Sequence, residues 1–221
     1  MAVTDALGAV QTFSATVLAG GTYSAAVPAA LAEGGYSVTA SASDAAGNAA
    51  SASDGGAIDI TAPTLSVDAP ALGNDTTPTI TGTTNLPAGA TITLTVTDAL
   101  GAVQTFTATV LAGGTYSAAV SAALAEGSYS VTATASDAAG NAASAADSGI
   151  LDITAPALSV DAPALTNDST PTIAGTTSLP GGATITLTVT DALGAVQTFT
   201  ATVLAGGTYS VAVPAALGDG A

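Results

Sequence analysis

The sequence contains no lysine, arginine, histidine, cysteine or tryptophan. Each absence removes a class of function. Without basic side chains nothing can neutralise phosphates, so nucleic acid and anionic membrane surfaces are excluded as partners. Without histidine, lysine or cysteine the common general bases and activated nucleophiles are missing, and the chain is not expected to be an enzyme. A pair of carboxylates could hydrolyse glycosides, but it would recur at a domain junction in every copy, which does not suit a cleft enzyme. No disulfide framework is available. No apolar run approaches the ~20 residues a membrane helix needs. Met1-Ala2-Val3-Thr4-Asp5 has no charged segment leading into an apolar one, so it does not read as a signal peptide.

What is present is 48% hydrophobic, with only 4% aromatic residues, and carries 16 acidic side chains for a formal charge of −16. Small cores of Ala, Val, Ile and Leu follow. Side-chain salt bridges are impossible, so clustered carboxylates must be neutralised by protons or by a bound cation.

The ten residues Thr-Asp-Ala-Leu-Gly-Ala-Val-Gln-Thr-Phe begin at Thr4, Thr97 and Thr190, two equal steps of 93 residues. That period suits one independently folding module. The junction Asp-Ile-Thr-Ala-Pro occurs at Asp59–Pro63 and Asp152–Pro156, where proline stops strand pairing. Counting from it gives a partial copy over 1–62 that lacks its first strands, a complete module over 63–155, and a partial copy over 156–221 that lacks its last strands. Met1 is therefore expected to be a fragment boundary.

The module reads as all-β. The pattern predicts strands over 64–68, 79–83 and 91–97, the last with Ile92, Leu94 and Val96 on one face and four threonines on the other. Alternation continues from Val103 to Val110, and then through Tyr116, Ala118 and Val120. A long strand follows with Tyr129, Val131, Ala133 and Ala135 inward. The final strand, from Ala142 to Ile153, is expected to break near Asp147-Ser148-Gly149. Seven short strands separated by turn signals give an antiparallel Greek-key sandwich.

Leu124, Gly127, Tyr129 and Val131 resemble the tyrosine corner of Ig-like sandwiches. The loop Ser136–Asn141 and the exit Asp152–Pro156 resemble the bacterial Ig-like tandem repeats of large secreted or cell-surface adhesins, and the resemblance covers the whole chain. It implies tandem Ig-like modules on the bacterial cell surface or secreted, acting as extenders that project a binding tip. Such extenders often bind calcium, and they support adhesion or biofilm formation. The expected partners are neighbouring repeats of the same chain.

Strand direction distributes the acids between the two poles of the sandwich. Asp5, Glu33 and Asp59 fall at the outlet pole of the first copy and face Asp137 and Asn141 at the inlet pole of the next. This gives a candidate Ca2+ site of oxygen ligands at the first junction. Asp98, Glu126 and Asp152 form its counterpart at the second junction, expected to be incomplete because the matching loop of the third copy falls beyond residue 221. On the competing reading, Asp98 and Asp137 merely cap turns, and Asp54, Asp75 and Asp147 are solvated surface acids. Two other functions stay open: a carbohydrate- or protein-binding module, which would want exposed aromatics, and an ice-binding face on the threonine row Thr91, Thr93, Thr95 and Thr97.

Overall fold

A computed structural model describes residues 1–219. The chain divides into two compact units, Met1–Ile153 and Thr154–Ala221. The described residues form strands and turns without a helix, so none could cross a bilayer as a helix.

The first unit opens with β1 (Ala2–Thr4), β2 (Val10–Thr12), β3 (Gly34–Ser43) and β4 (Ala49–Ile58), in one sheet of order β2-β1-β3-β4. β3 and β4 form a ten-residue antiparallel hairpin. Among the described residues, this copy contributes no second sheet over it. Val3 is the one fully covered hydrophobic residue of this copy, while Val17, Leu18 and Tyr23 are 63, 59 and 49% exposed.

The complete module supplies β5 (Leu72–Gly73), β6 (Thr79–Thr83), β7 (Thr91–Thr97), β8 (Val103–Thr109), β9 (Thr115–Ala119), β10 (Gly127–Ser136) and β11 (Ala142–Leu151). One sheet has the order β5-β11-β10-β7-β8 and the other pairs β6 with β9. Period-two alternation sends one face of each strand inward. Ile92, Leu94 and Val96 from β7 and Tyr129, Val131, Ala133 and Ala135 from β10 meet Ile80 of β6 and Tyr116 of β9 in a single buried cluster. The opposite faces of β7 and β8 carry paired threonines, Thr93 across from Thr107 and Thr95 across from Thr105.

Four expectations need correction. Residues 64–68 form no regular strand. They reach β6 through the bridge Asp68–Thr81 and through Ser66, whose amide donates to the Thr83 carbonyl at 2.9 Å, and Leu65 bridges Thr84 just after the strand. Between the predicted strands 64–68 and 79–83, where the sequence pattern predicts no strand, lies β5, which runs parallel to β11. β11 is not broken at Asp147–Gly149 but pairs β10 through all ten residues. Gly149 fits there because it lies opposite Tyr129, whose ring occupies the space a side chain would need. Finally, the Tyr129 hydroxyl does not close a local corner. It donates to the Pro70 carbonyl at 2.9 Å, 59 residues upstream, whereas a tyrosine corner bonds a few residues back.

The tyrosine–glycine pairing recurs. Tyr36 lies across from Gly56, Tyr116 from Gly82 and Tyr209 from Gly175. In each pair the glycine lets the ring lie over the neighbouring backbone. The Tyr116 hydroxyl donates to the Ser66 carbonyl, and Tyr209 makes the same bond to Ser159 at 2.6 Å. Glutamines form a second recurring device. Gln104 donates to the carbonyl of Ala122 at 2.9 Å and accepts its amide at 2.8 Å. Gln11 and Gln197 hold Ala29 and Ala215 in the same way.

The second unit contains β12 (Thr172–Thr176), β13 (Thr184–Thr190), β14 (Val196–Thr202) and β15 (Thr208–Ala212), with β12 paired to β15 and β13 to β14. Ile173, Ile185, Leu187, Ala201, Val203, Tyr209 and Val213 make its core.

Candidate functional site

The aspartates at the turns are held by backbone amides. Asp98 Oδ1 accepts the amides of Leu100 and Ala102 at 3.0 and 2.9 Å, and Oδ2 accepts that of Ala125 at 3.2 Å. Asp5 repeats this with Leu7, Ala9 and Ala32. The glycine three residues after each aspartate, Gly101 and Gly8, has positive φ, which these turns require. Bonds from Ala102 and then Ala125 hold the Asp98 carboxyl below its ordinary value of 3.8, and the Ala9 amide does the same for Asp5. Turn capping is thus a role these residues perform.

The sign of the pH effect follows. A carboxyl depressed in the fold stabilises it above the unfolded pKa, and that contribution is lost as pH falls through the folded value. Asp98→Asn should lower the melting temperature of the complete module at about pH 6, with the gap to wild type narrowing towards about pH 3. A gap of constant size across that range in thermal melts would exclude ionised Asp98 as the source.

At the first junction the acids are strung along one hydrogen-bonded path. The Thr61 hydroxyl donates to Glu33 Oε1 at 2.6 Å, and the Thr61 amide donates to Asp59 Oδ1 at 3.1 Å. From the complete module, Asn141 Nδ2 points at three oxygens: Asp137 Oδ2 at 2.9 Å, the Asp59 carbonyl at 3.1 Å and Asp59 Oδ1 at 3.4 Å. Asp137 Oδ1 also accepts the amides of Ala139 and Asn141, each at 2.9 Å. The Asn141 side-chain amide, with help from the backbone amides of Asn141 and Ala139, draws the Asp137 carboxyl below its ordinary value against the opposing effect of partial burial. Asp59, Asp137 and Asn141 therefore meet, and Glu33 joins them through Thr61. Asp5 is spent on its own turn and on Ala32.

No group of three acidic, histidine or cysteine side chains converges tightly enough for a metal among the described residues. The donors around Asn141 are nonetheless all oxygen apart from the amide nitrogen itself, and that amide carries an oxygen on the same carbon. This is a donor chemistry suited to a hard cation.

Around the counterpart acids, Asp98 is occupied as described and the Asp152 amide donates to the Gly73 carbonyl at 2.9 Å. Glu126 stands 93 residues after Glu33 and one residue before β10. Asp147, read as a solvated acid, instead accepts the Ala69 amide at 2.8 Å and ties the loop before β5 to β11. Its period in the strand gave no sign of this, since Ala69 is 78 residues away. Asp75 caps Thr77 and Asp54 accepts the amide of Gly55.

Comparison with known proteins places these features. The model of a family described as bacterial Ig-like domain matches residues 1–61 and 64–154. None of the curated proteins compared with this chain matches it. Among solved structures, the chain is similar to a tetra-tandem repeat in the extending region of a large adhesion protein, at 38% identity and a TM-score of 0.43, covering 96% of this chain and 57% of that one. It is also similar to a Ca2+-stabilized adhesin that helps an Antarctic bacterium reach out and bind ice, at 28% identity and TM-score 0.44, over 96% of this chain and 56% of that one. A third similarity is to a 1.5-MDa bacterial ice-binding adhesin, at 24% identity and TM-score 0.41, over 83% of this chain and 64% of that one. The chain thus spans less than two thirds of the length of each of these structures.

Proposed function

Because this chain belongs to the bacterial Ig-like domain family, we propose that its repeats are extender modules of a bacterial surface or secreted adhesin, stiffened by calcium at the junctions between modules. The observation that carries this reading is the contact across the first junction, where Asn141 of the complete module reaches both the carbonyl and the carboxylate of Asp59. A spacer works by geometry. Each module adds roughly 40 Å, from strands of ~7–10 residues at ~3.3 Å per residue plus loops. What separates a rod from a flexible string is whether the angle at the junction is fixed.

Asp59, Asp137 and Asn141 would hold the cation, with Glu33 within reach through Thr61. Calcium supplies positive charge that the chain's own side chains lack. It would bind two carboxylates from different copies at once, and so tie the end of one copy to the loop of the next. The chain's own residues do the positioning. The turn amides of Ala139 and Asn141 fix Asp137, and β4 ends at Ile58, so Asp59 lies outside its ladder. The uniform negative charge keeps neighbouring chains apart and soluble. Adhesion or biofilm support is the role such an extender would serve.

Calcium should raise the melting temperature of the chain and sharpen its maximum dimension in small-angle scattering, and chelator should reverse both. Asp59→Ala combined with Asp137→Ala should abolish the response. Identical melting temperature and dimension with calcium and with chelator would sink the clamp. A calcium response that survives the double substitution would move it to other residues.

A further inference from the structure

Two loops of the chain carry an acceptor motif that neither the fold nor the junction uses. Asn74-Asp75-Thr76 and Asn167-Asp168-Ser169 both read Asn-x-Ser/Thr without an intervening proline. They stand 93 residues apart, at the same place in successive copies. This is the tripeptide on which asparagine side chains accept sugars, and it requires an accessible surface loop. Where the two copies differ inside the motif, Thr76 is exchanged for Ser169, the one other hydroxyl residue the motif admits.

The five asparagines of the chain divide by what their side chains do. Asn48 Nδ2 donates to Asp44 Oδ2 at 2.8 Å, Asn85 Oδ1 accepts the Thr64 amide at 2.8 Å, and Asn141 Nδ2 donates to Asp137 Oδ2 at 2.9 Å. Two positions after these three stand Ala50, Pro87 and Ala143, so none lies in an acceptor motif. Asn74 and Asn167 are exposed. Among the described residues, neither their side chains nor the hydroxyls of Thr76 and Ser169 make a hydrogen bond.

The loops hold their shape by other means. Asp75 Oδ1 accepts the Thr77 amide and hydroxyl at 2.9 and 3.2 Å, and the Thr76 carbonyl accepts the Leu124 amide at 2.8 Å. In the second loop Asp168 does the same for Thr170, and the Ser169 carbonyl accepts the Leu217 amide at 2.8 Å. The middle residue and the backbone thus fix each loop, and the outer two side chains are left without a structural task. β5 ends at Gly73, whose carbonyl accepts the Asp152 amide at 2.9 Å, so Asn74 stands beside the end of β11.

We propose that Asn74 and Asn167 are N-glycosylation sites, taking sugar from a donor activated through phosphate. The side-chain nitrogen attacks the anomeric carbon of the sugar. The bond from that carbon to the phosphate oxygen breaks and a nitrogen–carbon bond forms. The phosphate carrier leaves with the electron pair, and one amide proton passes to a base of the transferase. The hydroxyl of Thr76 or Ser169 is what the transferase reads beside the amide. One glycan at each 93-residue step clothes the chain in hydrated bulk at regular intervals. The inference goes beyond the extender reading and stands without calcium at the junctions.

Mass spectrometry of the protein purified from the cells that produce it tests this. Chymotryptic peptides are read, because the chain has no lysine or arginine for trypsin. Peptides containing Asn74 or Asn167 should carry the added mass of one or more sugar residues. Asn74→Gln and Thr76→Ala should each abolish the addition at the first site, and Thr76→Ser should retain it. Asn74→Gln removes no hydrogen bond of the fold, so its melting temperature should match that of unglycosylated wild type, which separates loss of sugar from loss of structure. Sugars added one at a time mark a nucleotide-linked donor and one fixed block marks a lipid-linked donor; both uphold the sites. Bare Asn74 and Asn167 in protein from its own cells overturn the inference. So does a sugar that survives Asn74→Gln, as one linked to the Thr76 or Thr77 hydroxyl would, or one that Thr76→Ser removes.

Discussion

Gly82→Ala should destabilise the complete module by about 3 kcal/mol, the upper part of the range for overpacking a core. A methyl group at that position overlaps the Ser66 carbonyl oxygen and the ring of Tyr116. Neither can step aside. Ser66 is held to Thr83 of β6 twice, its amide donating to the Thr83 carbonyl and its hydroxyl bonding the Thr83 hydroxyl. Tyr116 is 2% exposed and fixed at its hydroxyl. An alanine would otherwise gain about 0.4–1 kcal/mol by restricting the unfolded chain, so overlap decides the sign. The internal control is Gly35. A Cβ there meets only the Gly56 carbonyl oxygen, at 4.0 Å, and the counterpart in the complete module is already Ser128. Gly35→Ser should be nearly neutral. Denaturant titrations that find Gly82→Ala and Gly35→Ser alike would refute the packing account.

Tyr116→Ala should be comparably severe, costing about 4 kcal/mol as expected for removing a large buried ring. Tyr116→Phe separates the two contributions. It keeps the ring over Gly82 and loses only the bond to the Ser66 carbonyl, for about 1 kcal/mol. Tyr23 is the same residue 93 positions earlier and is half exposed. Tyr23→Ala should therefore leave the unfolding midpoint within about 0.5 kcal/mol of wild type. Equal losses at the two tyrosines would mean that the ring's contribution does not depend on the strand it covers.

The sandwich is legible in the sequence, because strict alternation in β7 and β10 marks half-buried pleated surfaces, while the bacterial Ig-like family enters by resemblance, on the loop Ser136–Asn141 and the exit Asp152–Pro156. The inward set Tyr129, Val131, Ala133 and Ala135 was readable from spacing alone. What escaped the sequence was long-range. β5 has two residues and pairs through backbone atoms, so no side-chain pattern marks it. Asp147 and Ala69 meet only once the sandwich closes, and the Tyr129 hydroxyl finds Pro70 for the same reason. The glycines facing tyrosines did leave a signal. Gly82 and Gly149 sit inside strand patterns, where glycine points to a close approach. At Gly149 the same signal predicts a break that the continuous pairing of β11 does not show. At the junction, strand direction placed Asp59 beside Asn141, but it could not show that Thr61 links Glu33 to Asp59, since that depends on the path of the chain after the strand ends.

The parallel pairing of β5 with β11 bears on how a module resists being pulled. β5 lies near the start of the module and β11 at its end, side by side and pointing the same way. A tensile force applied through the two flanking junctions therefore slides one past the other instead of peeling them apart. Ile150 to Ala71, Asp152 to Gly73, Tyr129 to Pro70 and Ala69 to Asp147 lie together across that seam. Shear loads these four bonds in parallel, so the seam must fail nearly at once, whereas an antiparallel end would unzip bond by bond. The shortest strand among the described residues, two residues long, thus carries part of that shear.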